Sequence, residues 1–224
     1  MSEPAENPFA LDSEYARLVR EAAGVVRLEV SFPEYAFTRR DGSVRFTDVI
    51  DRGWYELRDF AELHGDRELS LIVLDPAADL DKIAGPGRRL AFTLSTRVSS
   101  DTYYDALRFN ANRDEPFCIQ DIAMRVAIWG SSGRWAVFGE RDLVAWWSDK
   151  ASDEPGIQAW EIRRRPWAYT AEQALELWGL GFKGLAVPGA LADRFRQNYQ
   201  SFDRATDPEE GLPYLAPWDR RDEP

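Results

Sequence analysis

The chain has 224 residues, with 28 Lys+Arg against 39 Asp+Glu, a formal net charge of -11, and 44 % hydrophobic and 13 % aromatic residues. That composition excludes wholesale disorder, and the surplus of acids excludes a broad basic face for phosphate backbones, so no direct nucleic-acid binding is expected. No run approaches the roughly 18 apolar residues of a membrane-spanning helix, the acidic start Met1–Glu6 carries no apolar signal segment, and Cys118 alone cannot make an intramolecular disulfide framework; a cytoplasmic protein with no membrane partner is expected.

Residues 1–10 read as a loose tail. Asp12 or Ser13 caps a first helix that places Tyr15, Leu18, Val19 and Ala22 on one face before Gly24 ends it. Val26, Leu28, Val30 and Phe32 alternate with polar residues, the period of a half-buried strand. Asp41-Gly42 supplies a tight turn within residues 35–47, which therefore read as a β-hairpin. A helix follows over about 51–63 with Trp54, Leu57, Phe60 and Ala61 facing inward, then an apolar run, Leu69–Leu74, with the character of a central strand. Residues 77–84 suggest a short helix, Gly85-Pro86-Gly87 a turn and 90–96 a strand, whereas 101–117 fit no clean period. Three strands of a meander come next. Met124, Val126 and Ile128 lie on the first, Trp135, Val137 and Phe138 on the second beyond the turn Gly130–Gly133, and Leu143–Trp147 on the third. Residues 148–157 read as a loop or subdomain boundary. Thr170 to Gln173 has the form of a capping box, and a last helix starts near Pro188 with Leu191, Phe195, Tyr199 and Phe202 on one stripe. Residues 203–224 are an acidic tail. The fold expected is α+β over residues 11–202, an antiparallel or mixed sheet of about six strands packed against about four helices.

Few motifs carry chemistry. His64 is the only histidine, and at a helix end closed by Gly65 it reads as structural rather than catalytic. Gly179 to Gly184 matches a bare dinucleotide pattern, but it follows a helix where the nucleotide turn follows a strand, so Gly179 reads as a helix C-cap. No cofactor is expected. An all-oxygen metal site at Asp75, Asp79 and Asp81 is a weak alternative to helix capping, and no metal ligand is assigned. Arg163, Arg164 and Arg165, between Trp160 and Trp167, form the one basic island, suited either to clamping an anion or to pairing with neighbouring acids.

Two features point toward a partner. Trp129, Trp135, Trp146 and Trp147 share one meander, and successive strand residues face opposite sides, so Trp146 and Trp147 require either a sheet covered on both faces or one exposed indole, a binding anchor. Beside them lie Glu140, Asp142, Asp149, Asp153 and Glu154, an acidic rim of the kind that docks on a basic surface. The stretch Gly133-Arg134-Trp135-Ala136-Val137-Phe138-Gly139-Glu140-Arg141-Asp142-Leu143 resembles small bacterial proteins of the toxin-immunity kind. The resemblance implies an acidic, cytoplasmic, non-enzymatic α+β protein and carries over no inhibitory residue. The expected function is a non-catalytic protein-binding module, an immunity-type inhibitor of a basic toxin or nuclease, which docks through those four tryptophans and five acids. The alternative is a carboxylate-dependent enzyme acting on a sugar-like or phosphorylated small molecule; a third reading is a subunit of a larger assembly.

Overall fold

A computed structural model describes residues 7–47, 53–75, 83–111, 118–141, 143–164, 170–179, 182 and 186–202, with backbone alone at 162–164. The expected tail 203–224 and most of the expected helix 77–84 lie outside the described residues. Among the described residues the helices are α1 (Asp12–Ala23), α2 (Trp54–Leu63), α3 (Ser100–Arg108), α4 (Ile119–Ile122), α5 (Pro155–Arg164), α6 (Ala171–Gly179) and α7 (Gly189–Tyr199). The strands are β1 (Ala10–Leu11), β2 (Ser43–Thr47), β3 (Glu68–Asp75), β4 (Arg88–Arg89), β5 (Ala91–Ser95), β6 (Arg125–Gly130), β7 (Trp135–Glu140) and β8 (Leu143–Ser148).

The fold is α+β. Six strands form one sheet in the order β2-β8-β7-β6-β3-β5, and every pairing in it is antiparallel. Helices cover both faces. On the first face, α1, α6, α7 and the segment 25–37 pack on Ala127, Trp129, Ala136, Phe138, Ala145 and Trp147; on the second, α2, α3, α4 and α5 pack on Leu71, Phe92, Ile128, Val137 and Trp146. The first face fits because large and small side chains alternate across the strands. One row runs Ala91, Ile72, Ala127, Phe138, Ala145, Phe46, and the next includes Trp129, Ala136, Trp147 and Val44. Each alanine leaves room for the ring or branched chain beside it, which lets helices seat close to the sheet.

Several local expectations are corrected. Residues 26–32 do not form a strand: Val26, Val30 and Phe32 are buried in alternation, but the backbone makes turns and a single bridge, Val26 to Phe37. Residues 35–47 do not form a hairpin. The turn at Asp41-Gly42 is present, with Gly42 at φ +84°, yet β2 pairs with β8, and Tyr35, Ala36 and Phe37 pack into the first core instead. Gly42 lies so close to the Ser148 carbonyl that a Cβ there would collide with it, so this turn is set by the approach to β8. Residues 7–10 of the expected tail are not loose: Phe9 and Ala10 are buried, β1 pairs with β4, and the Asn7 side-chain amide donates to the Ala84 carbonyl at 2.9 Å. Asp12 accepts from Arg89 at 2.8 Å rather than capping α1. The unassigned stretch after residue 100 contains α3, capped by Ser99, whose hydroxyl accepts from the Thr102 amide at 3.2 Å. The expected loop 148–157 ends in α5, which Pro155 opens. The capping box before α6 is formed: the Thr170 amide donates to Gln173 Oε1 at 2.9 Å and the Gln173 amide to Thr170 Oγ1 at 3.3 Å.

Candidate functional site

Trp129, Trp135, Trp146 and Trp147 are all buried. Both sheet faces are covered, so Trp146 and Trp147 enter opposite cores, and neither is an exposed anchor. Burial of an indole leaves its N–H in need of an acceptor, and three of the four have one at 2.8 Å: Trp135 in Asp66 Oδ2, Trp146 in Thr47 Oγ1, Trp147 in the Asp41 carbonyl.

The acids do not form one rim. Glu140 ends β7 and pairs across the hairpin with Leu143, whereas Asp149 follows Ser148, which pairs with Trp135 at the other end. Five residue steps of antiparallel strand separate those ends by about 17 Å. Residues close in sequence around a hairpin lie together only near its turn, which is why grouping Glu140 with Asp149, Asp153 and Glu154 fails. Glu140 accepts from the Phe32 amide at 2.7 Å, and Asp142 lies outside the described residues. Asp149, Asp153 and Glu154 do share the loop between β8 and α5. Asp149 accepts from Arg134 Nε at 2.8 Å, Glu154 from Lys150 Nζ at 2.9 Å, and Asp153 is exposed. The Lys150 ammonium holds the Glu154 carboxyl below its ordinary range.

That end of the sheet carries a polar cluster that sequence reasoning did not assemble. The segment closing α2 delivers His64 and Asp66, the β6–β7 turn delivers Ser131, Ser132 and Arg134, and the end of β8 with the residue after it delivers Ser148 and Asp149. Asp66 is buried, and its two oxygens accept from Ser131 Oγ (2.9 Å), the Ser132 amide (2.8 Å), Ser132 Oγ (2.7 Å) and Trp135 Nε1 (2.8 Å). Four donors on one carboxylate satisfy it without a cation. Gly130 is required beside it, since a Cβ there would collide with Asp66 and the Trp135 nitrogen. His64, whose ring is fully buried, sits with Nδ1 2.7 Å from the Phe60 carbonyl and Nε2 2.7 Å from Ser148 Oγ. A carbonyl only accepts, so Nδ1 carries the proton and Nε2 accepts from Ser148. Burial lowers the proton affinity of the imidazole, opposed by the Phe60 carbonyl and by Asp149. The Ser–His geometry is that of an activated nucleophile, but Ser148 is itself buried beneath the packed helices, so it acts as part of the core. His64 thus ties the end of α2, through the Phe60 carbonyl, to Ser148 at the end of β8.

A second polar element lies at the β2 edge. Arg45, paired across from Trp146, is buried and donates from Nε to Glu161 Oε1 at 2.9 Å and from Nη1 to the carbonyls of Val44 (2.7 Å) and Phe202 (3.0 Å). Its guanidinium therefore ties the sheet edge to α5 and to the end of the α7 segment. Alternation with Val44 and Phe46, which enter the first core, puts Arg45 on the second face beside Trp146. Arg163 and Arg164 lie on the backbone of α5 with side chains not described, and Arg165 lies outside the described residues. Gly179 ends α6, while Gly181 and Gly184 of the glycine pattern lie outside the described residues, as do Asp79 and Asp81. Among the described residues there is no group of three or more His, Cys, Asp or Glu placed to hold a metal ion, and no helix long and apolar enough to cross a membrane.

No protein-family model matches the chain, and neither a curated protein nor a solved structure matches it.

Proposed function

We propose that this chain is a non-catalytic protein-binding module that engages a basic partner, in the manner of an immunity-type inhibitor of a basic toxin or nuclease, in the bacterial cytoplasm. The observation that carries the reading is the surplus of acids over bases along the full sequence. The chain has a net charge of -11; among the described residues most aromatic side chains lie in the two cores, and only Leu11, Tyr55 and Met124 are exposed large hydrophobic side chains. Association then depends on charge more than on aromatic anchors, and long-range attraction speeds encounter with a basic surface. The loop between β8 and α5, with exposed Asp153 and half-buried Glu154, is the part of the sequence-derived partner site that reaches the surface.

The test is affinity capture of the tagged full chain from its native lysate at low and high salt, followed by an activity assay of what is retained. The reading expects one stoichiometric basic protein, released as salt rises and inhibited while bound. A retained protein that is acidic, salt-insensitive or fully active in the complex would overturn it. A folded chain that captures nothing but is stabilised by a sugar-like or phosphorylated compound would favour the carboxylate enzyme instead.

A further inference from the structure

The cluster around His64 contains one buried acceptor with nothing to accept. Asp149 Oδ2 holds Arg134, but Asp149 Oδ1 is buried and has no hydrogen-bond partner among the described residues. It lies 3.9 Å from His64 Nε2, the ring nitrogen that now accepts from Ser148. Ser148 Oγ in turn accepts from the Lys150 amide at 3.0 Å. The arrangement is complete for a neutral imidazole and has a counter-charge standing ready for a protonated one.

We propose that His64 is a proton-operated latch: when its Nε2 gains a proton it changes from acceptor to donor and recruits Asp149 Oδ1, drawing the start of the β8–α5 loop inward and loosening the hold of Asp149 on Arg134 in the β6–β7 turn. The chemistry requires a response. Nε2 can no longer accept the Ser148 hydroxyl proton, and a cation enclosed by Phe60 and Trp135 needs an anion within hydrogen-bond reach. Closing 3.9 Å to an ordinary charge-assisted bond takes a movement of about 1 Å. The charged groups acting on the ring come from both neighbouring segments. Asp149 after β8 favours the cation, Lys150 after β8 and Arg134 before β7 oppose it, and α2 supplies the Phe60 carbonyl, which favours it. From α5 the ring stack is continued by Trp160, a neutral group, against Phe60. Asp66, two residues on, is already saturated by its four donors. The latch belongs to this chain alone and holds whether or not a partner binds nearby.

Because the chain has one histidine, a heteronuclear NMR titration of the full-length labelled protein reads the latch without ambiguity. The expected result is a neutral ring with the proton on Nδ1, and a titration that the Arg134 side chain and the amides of Ser132 and Lys150 follow with the same midpoint. Asp149→Asn should lower that midpoint by about half a pH unit or more, roughly threefold in proton affinity, and uncouple Arg134 from it. Arg134→Gln, at an exposed position, should raise it, because Asp149 is then free to turn to the ring. An unchanged midpoint in either folded variant, or a ring that titrates while Arg134 and the turn amides do not follow, would overturn the proposal.

Discussion

Asp66→Ala tests the packing of the polar cluster most sharply. The substitution removes the acceptor of four hydrogen bonds, but their losses are unequal. Ser131 and Ser132 lie on an exposed turn and regain water, so their three bonds together contribute about 1–2 kcal/mol. Trp135 is fully buried, and its orphaned indole N–H costs about 1–3 kcal/mol. The expected loss is therefore about 2–5 kcal/mol, a large share of the roughly 5–15 kcal/mol that holds a domain together. Equilibrium urea unfolding measures it, with the slope against denaturant unchanged. Asp66→Asn keeps a carbonyl oxygen for the indole and should lose about half as much. Gly130→Ala should be severely destabilising in the native background and less so when combined with Asp66→Ala, since one of its two clashes is then gone. A loss below about 1 kcal/mol for Asp66→Ala would refute the argument that this carboxylate secures Trp135.

Trp147→Ala removes a fully buried indole and its bond to the Asp41 carbonyl, so chemical denaturation should register a loss of about 3–5 kcal/mol; a loss under about 1 kcal/mol would place Trp147 outside the core. Glu161→Ala leaves Arg45 buried without that carboxylate and should cost about 3–5 kcal/mol, whereas Arg45→Met together with Glu161→Leu should restore most of it; a double-mutant cycle by urea unfolding decides. Stability should also depend on pH through His64. Its proton affinity is lowered in the folded chain, so the unfolded chain binds the proton first as pH falls through about 6.5, and stability decreases from there down to the folded midpoint. Glu34, Asp41 and Glu154, whose carboxyls are held low by Arg194, Arg39 and Lys150, make only small, solvent-screened contributions that are present at neutral pH and begin to be lost as pH falls below about 4.5. Unfolding curves between about pH 7.5 and about pH 5.5 should therefore show a loss that flattens in His64→Gln; an equal slope in the variant would contradict the assignment.

Much of the fold was legible where local chemistry and burial agree. The apolar stripe of α1, the inward residues of α2, the capping box at Thr170 and the β6–β7–β8 meander all follow from spacing alone, because each pattern is satisfied by its immediate neighbours. The failures involve contacts distant in sequence. Asp41-Gly42 is a sound turn signal, but its strand pairs with β8 more than 95 residues on, and nothing local names that partner. The alternation at Val26 to Phe32 reflects real burial under α7, without a strand neighbour to make it a ladder. Helix α3 was readable from the Ser99 cap and the inward set Tyr103, Ala106 and Leu107, but the aromatic residues around it obscured the period. The site fared unevenly for the same reason. Trp146-Trp147 correctly posed the choice between two covered faces and one exposed indole, yet only the helices on each side decide it. The Asp66 and His64 cluster joins the end of α2 to a turn and a strand end 65 or more residues further on, so no sequence window contains it.

The most direct measurement is the affinity of the captured partner for the purified chain at low and high salt, for the native protein and for Asp153→Lys with Glu154→Lys. Binding should weaken at least tenfold when salt rises from about 50 mM to about 500 mM, and weaken again on charge reversal in a protein that still folds. An affinity indifferent to both salt and charge reversal would contradict recognition of a basic partner through the acidic surface.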